Sequence, residues 1–234
     1  MNFQIHAQIF EKFPGLNIGL IVARGVDNSD APAEVRQMIW AEESRIRTRY
    51  TGETLARDAR IEVWRKTYSA FGAKPKDNKS SVENLYRLVL DGKQVRHINS
   101  LVDIYNFISL KHMLPAGGED LQKIIGDVWL TFAAENEAPV LLLGDKEARA
   151  PHAGEVIYKD ELSAICRRWN WREADRTKFT EETTDCILVI EGLPPVTRQE
   201  IETAAQELLD MVEKYCGGTL RYSVLDKTNS RIEF

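Results

Sequence analysis

The run from Arg96 to Ile125, RHINSLVDIYNFISLKHMLPAGGEDLQKII, constrains the fold of this chain more than any other segment. It predicts a helix on which Ile98, Leu101, Val102, Ile104, Tyr105, Phe107, Ile108, Leu110, Met113 and Leu114 leave little face for water. A helix that is apolar nearly all round is buried, so other elements must close around it. Asn99, Asp103 and Asn106 interrupt it at spacings of four and three, which stacks them on one stripe. A buried polar group without a partner costs about 1–3 kcal/mol, so the stripe serves either the fold or a ligand. On the structural side, Ser100 with Asp103 reads as an N-cap pair favoured by the helix dipole, and Asn106 as a tie to a neighbouring loop. Both readings stand at this level.

The 234 residues suffice for one large domain or two small ones with a real core. Hydrophobic content of 43% and charged content of 29% are those of a soluble globular protein. No apolar run approaches the roughly 18 residues that span a bilayer, so no membrane partner is expected. The start, MNFQIHAQIF, lacks the basic and long apolar regions of a signal peptide, and a cytoplasmic location is the expectation. Cys166, Cys186 and Cys216 form no CxxC pair, which fits reduced, packed thiols. His6, His97, His112 and His152 make no metal-ligand spacing, so neither a metal nor a cofactor is expected. The net charge of −5 is uneven: Arg45 to Lys79 holds ten Lys/Arg against four Asp/Glu, a local +6 that leaves −11 elsewhere. That segment is either a local footprint for a phosphate backbone or a solvated helical face.

Phe3–Phe10 and Asn17–Arg24 read as two strands joined at Pro14-Gly15. Ala33–Tyr50 and Leu55–Phe71 read as helices, and Gly72–Ser80 as a linker. This divides the chain into residues 1–79 (strand, strand, helix, helix) and residues 80–234, which together make one compact unit. Ser81–Leu90 and Asn99–Leu114 follow as helices, the latter stopped at Pro115-Ala-Gly-Gly. Strand-like runs come at Val128–Phe132, Val140–Leu143, Val156–Tyr158, Leu162–Cys166 and Cys186–Ile190. Thr197–Tyr215 is an amphipathic helix, and Thr219–Leu225 and Arg231–Phe234 are strands. Strands and helices mix without a βαβ rhythm, which predicts an α+β fold with mixed sheets and packed helices.

No nucleophile elbow, P-loop, dinucleotide fingerprint or HExxH occurs, so any catalysis here works by positioning. Two further runs carry chemistry. In CRRWNWREADRTK (Cys166–Lys178), an extended chain sets Trp169 and Trp171 on one face and Arg168, Asn170 and Arg172 on the other. Such a row suits a carboxylate, a phosphate or a stacked base, or equally two core tryptophans with surface arginines paired to Glu173 and Asp175. In CILVIEGLPP (Cys186–Pro195), Glu191 ends an apolar strand, where carboxylates face either clefts or solvent.

These runs together resemble the tRNA-editing domain of the phenylalanyl-tRNA synthetase beta subunit, in a free-standing form. The likeness rests on INSLVDIYNFISLKHMLPAGGEDL (Ile98–Leu121), GEVIYKD (Gly154–Asp160), CRRWNWREADRTK and TEETTDCILVIEGLPPV (Thr180–Val196). It covers roughly Ser81–Tyr215. The resemblance implies an α+β module with a ligand cleft between two subdomains. It also implies a trans-acting deacylase that hydrolyses the ester of mischarged aminoacyl-tRNA, with the charged tRNA 3′ end and an amino-acid side chain as its partners. It sets Asn99, Asp103 and Asn106 as the catalytic polar positions and Glu191 as the cargo-recognising carboxylate, beside Arg168, Asn170, Asp175 and Gly117. Gly117 stands where the synthetase pattern has a histidine. A roomier pocket with carboxylates at Glu191 and Asp175 fits an arginine-like cargo such as canavanine on tRNA(Arg). The alternative is a non-catalytic amino-acid or tRNA-binding module, with Arg168 holding a carboxylate.

Overall fold

The computed structural model describes residues 1–29 and 32–234. Helices and strands mix as expected for an α+β protein. Ten strands are assigned among the described residues: β1 (Asn2–Ile5), β2 (Asn17–Arg24), β3 (Ala116–Asp120), β4 (Val128–Phe132), β5 (Val156–Lys159), β6 (Ala164–Arg167), β7 (Arg172–Glu173), β8 (Asp185–Gly192), β9 (Thr219–Leu225) and β10 (Arg231–Glu233). The helices are α1 (Ala7–Lys12), α2 (Ala33–Arg49), α3 (Gly52–Arg57), α4 (Ala59–Ala70), α5 (Ser81–Leu90), α6 (Ser100–His112) and α7 (Arg198–Cys216), with a 3-10 turn at Leu121–Lys123.

The strands form two sheets. A mixed six-stranded sheet runs β10-β1-β4-β5-β6-β7, in which β1 and β4 are parallel and the other pairs antiparallel. An antiparallel four-stranded sheet runs β3-β8-β2-β9. β2 lies between β8 and β9 and is buried along almost its whole length, so Ile18, Leu20, Ile21, Val22 and Ala23 form a continuous apolar run. The first 79 residues thus supply one strand to each sheet, and both pair with strands from the second half.

The apolar helix foreseen at the centre of the chain is α6. It packs against α2, α5, α7 and β3, while α7 lies across β2, β8 and β9. Its N-cap is Asn99, whose side chain accepts the Val102 amide at 3.1 Å, one residue ahead of the Ser100 expected there. Met113 in the left-handed region closes it.

Four segments depart from the sequence expectations. Phe3–Phe10 is not one strand: after Ile5 the chain turns into α1, whose buried Ile9 and Phe10 have helical rather than alternating spacing. Leu55–Phe71 is broken at Asp58, which is extended and caps α4 by accepting the Arg60 amide. Val140–Leu143 makes only the isolated bridges Val140 to Arg149 and Leu142 to Ala174. Ala116–Asp120, read as a helix stop, is strand β3. Its glycines are required by close approach, because a Cβ on Gly118 would meet the Ile187 carbonyl at 2.4 Å and Phe179 Cζ at 2.6 Å.

Gly118→Ala is therefore expected to destabilise the protein by about 1–3 kcal/mol through overpacking against backbone, lowering the thermal midpoint by several degrees. Gly52→Ala, in a helix start where the nearest atom to an added Cβ is 3.8 Å away, leaves the midpoint unchanged or raises it. Equal midpoints for the two variants in a calorimetric scan would contradict this packing of β3 on β8.

Candidate functional site

Between the two sheets lies a cavity of about 260 Å³. Period-two alternation aims Ile187, Val189 and Glu191 of β8 into it, and the register puts Gly117 and Glu119 of β3 opposite Val189 and Ile187. The other sheet contributes Phe3, Val128, Tyr158, Ile165 and Cys166, and β7 contributes Arg172 and Glu173. The wall is mostly apolar and aromatic, with a few convergent polar groups, as in small-molecule sites.

Glu191 forms one end. It is buried, and it accepts the Tyr158 hydroxyl and the Trp169 indole N–H (2.7 Å) on Oε1 and the Asn170 amide (2.6 Å) on Oε2. All three donors are neutral. Burial pushes its carboxyl up to about 7 in spite of those hydrogen bonds. An ionised carboxylate has about four acceptor positions, so one remains on Oε2.

The donors are held by packing. Trp169 is fully buried between Trp64 (ring centroids 5.2 Å apart) and Phe13 (5.1 Å). Asn170 Oδ1 accepts the Tyr68 hydroxyl at 2.9 Å, and its carbonyl accepts the Ser81 amide. This geometry needs a turn where the sequence reading assumed an extended chain. Arg168 and Trp169 both have positive φ, at 48° and 66°, and Trp171 N–H closes back on the Arg167 carbonyl. The alternation of faces is lost, so Trp169 and Asn170 reach the same carboxylate.

Glu119 and Glu173 lie toward the other end. Glu119 is 7% exposed, and its Oε2 has no hydrogen-bond partner among the described residues. Burial and the neighbouring Glu173 hold its carboxyl well above the ordinary range. Glu173 is pushed up to about 7 by burial, with the Gly118 amide beside it. Gly117 makes room for it, since a Cβ there would sit 3.1 Å from Glu173 Oε1. The nearby arginines are committed elsewhere: Arg172 to Asp145 (2.8 Å) and the Leu143 carbonyl, Arg176 to Asp160 (2.9 Å). Among the described residues none of the three glutamates has an ion-pair partner within 4.0 Å.

Of the residues singled out in the sequence, Gly117, Asn170 and Glu191 line this cavity, as do Trp169, Trp171 and Arg172 of the aromatic run. Arg168 does not: its guanidinium stacks on Trp171 at 4.3 Å and faces Glu155 at 3.9 Å, bordering a separate pocket with Phe71 and His152. Asp175 lies outside the cavity and pairs with Lys178 at 2.7 Å. The helical stripe is also outside. Asn99 caps α6, half-buried Asn106 does not reach the cavity, and Asp103 accepts from the Ile98 amide and sits 2.7 Å from His97 Nδ1. The basic segment is largely neutralised, since Arg45, Arg47, Arg57, Arg60, Arg65 and Lys66 each lie beside a glutamate. Glu119, Glu173 and Tyr158 carry the site but did not stand out in the sequence; Glu173, expected there as a surface partner of an arginine, is enclosed in the cavity wall, and Arg172 pairs with Asp145 instead.

The family model described as the B3/4 domain matches residues 63–217, well over half of the chain. A search of curated proteins gives no match. Among solved structures, an N-terminal fragment of the phenylalanyl-tRNA synthetase beta subunit from Pyrococcus horikoshii is similar, at 11% identity and a TM-score of 0.48. The alignment covers 94% of this chain and 50% of that one, so the chain spans about half the length of that fragment.

The raised carboxyl of Glu191 has a consequence for stability. From its ordinary value of 4.5 to about 7, the native state holds a proton that the unfolded chain has released, so its contribution to stability falls as pH rises through that window and is level above it. Glu191→Gln removes the ionisation. The thermal midpoint of the variant relative to the parent is expected to become more favourable from pH 5 to pH 8. A difference that does not change with pH would assign Glu191 an ordinary carboxylate pKa.

Proposed function

Because the chain belongs to the B3/4 domain family, we propose that it hydrolyses the ester of mischarged aminoacyl-tRNA, with the amino-acid side chain held in the cavity between its sheets. The observation that carries this reading is Glu191. It is a rigid buried carboxylate with three neutral donors, one acceptor position left and no cation of its own. A cargo whose side chain ends in a guanidino-type group supplies the missing donor. Canavanine, whose guanidino group is bonded to oxygen, fits best. The oxygen makes it a far weaker base than arginine, so it enters a largely apolar cavity without the full desolvation of a permanent cation. Arginine carries that penalty, which gives the discrimination its sign.

The reaction needs no activated nucleophile. Water adds to the carbonyl carbon of an already reactive ester, the bond to the terminal ribose oxygen breaks, and the free amino acid and the 3′ hydroxyl of the tRNA are released. The protein's part is to hold the carbonyl and the water in line and to keep bulk solvent out. Asn99 and Asp103 are occupied in capping α6 and pairing with His97, so no step is routed through them.

A deacylation assay on canavanyl-tRNA(Arg), arginyl-tRNA(Arg) and tyrosyl-tRNA(Phe) tests the proposal. The expected outcome is rapid loss of canavanyl-tRNA(Arg) with arginyl-tRNA(Arg) spared. Glu191→Gln is expected to lower kcat/KM for that substrate about tenfold to a hundredfold, the equivalent of a charge-assisted hydrogen bond of about 1.5–3 kcal/mol. Thermal stabilisation by free amino acids without hydrolysis of any charged tRNA would instead make this a binding module.

A further inference from the structure

The cavity has a second acidic feature that recognition of a side chain by Glu191 leaves unused. Glu119 on β3 faces Ile187 in register, four residues along β8 from Glu191, which separates the two backbone positions by roughly 13 Å. Glu173 approaches from the opposite sheet, and Gly117, which lies between Glu119 and Glu191 along the register, leaves room for its carboxyl.

Two carboxyl groups that meet in a buried wall repel one another when both are ionised, and they take up a proton in the absence of a cation. Glu119 Oε2 is a second indication, with the uncharged Thr177 hydroxyl as its neighbouring side-chain donor. Its side chain lines the cavity, the oxygen has no hydrogen-bond partner within 3.5 Å among the described residues, and no cation pairs with it, a state that a cation would relieve. The surrounding arginines are bonded elsewhere, Arg172 to Asp145 and Arg176 to Asp160, and neither forms an ion pair with Glu119 or Glu173. A divalent metal does not suit the site either. No group of three or more metal-ligating side chains converges among the described residues, whereas hard cations take about six to eight oxygen ligands. A compact ammonium with three N–H donors matches two converging carboxyl groups.

We propose that Glu119 and Glu173 form a second cation subsite, which takes the α-ammonium group of the aminoacyl ligand while Glu191 takes the end of its side chain. The proposal rests on the reading of the cavity as an aminoacyl site. It makes the site selective for amino acids with a free α-amino group, and the separation of the two subsites favours long side chains.

Binding separates this from hydrolysis. Calorimetric titration uses canavaninamide, tyrosinamide and their Nα-acetyl forms, in which a stable amide replaces the ester and acetylation removes the α-charge. Acetylation is expected to weaken binding of the parent protein at least about tenfold for both side chains, and in Glu119→Gln and Glu173→Gln by less than about threefold. Glu191→Gln is expected to reduce the preference for canavaninamide over tyrosinamide and to keep the acetylation effect. If that preference is absent but Glu119→Gln still erases the acetylation effect, the guanidino-type cargo is wrong and the ammonium subsite stands. The subsite is overturned if acetylation changes nothing in the parent protein. The same holds if the loss is equally large in both Glu119→Gln and Glu173→Gln, or if a parent sample that melts cooperatively binds none of the four amides.

Discussion

The Glu191 carboxylate is the point at which the separate layers of this protein meet. It leaves β8 in one sheet and is bonded by Tyr158 from β5 in the other, and by Trp169 and Asn170 from the turn after β6. Through Asn170 the same network reaches Tyr68 on α4 and the start of α5. A buried carboxylate with three good donors is tolerable, and with fewer it is an unsatisfied charge. The left-handed pair Arg168 and Trp169, at about 1–3 kcal/mol of backbone strain each, is held in place by that requirement and by the aromatic packing around Trp169. The interaction that ties the sheets together also closes one end of the cavity between them.

The architecture was legible wherever a single periodicity ran long enough. The apolar wrap of α6, the apolar run of β8 and the amphipathic α7 all read directly, because burial on all sides or on one stripe leaves different spacings. Breaks in local pattern were not legible. Asp58 divides a helix whose composition is helical on both sides, and Gly117-Gly118 make a strand from residues that ordinarily end one. In both cases tertiary contact decides: the Asp58 cap in the first, the approach of Ile187 and Phe179 in the second.

The site was half legible for the same reason. Glu191 at the end of an apolar strand and Asn170 in an aromatic run stood out as polar residues where apolar ones are expected. Glu119 and Glu173 did not, because carboxylates in a charged, glycine-containing stretch carry no sign of being enclosed. The polar stripe of α6 lies away from this cavity: Asn99 caps the helix, and Asp103 sits beside His97 in the wall of another pocket. Spacing identifies which residues share a face. It does not say whether that face meets a cavity or another helix.

The central claim is that the cavity between the sheets is the aminoacyl site, with Glu191 at the side-chain end. A co-crystal with a 3′-canavanylamino adenosine, in which a stable amide replaces the ester, tests it most directly. Density for the amino acid is expected between β3 and β8, with its guanidino nitrogens within hydrogen-bond distance of Glu191 Oε2 and the adenosine outside. Density for the ligand beside Asp103 and His97, with the cavity empty, would contradict it.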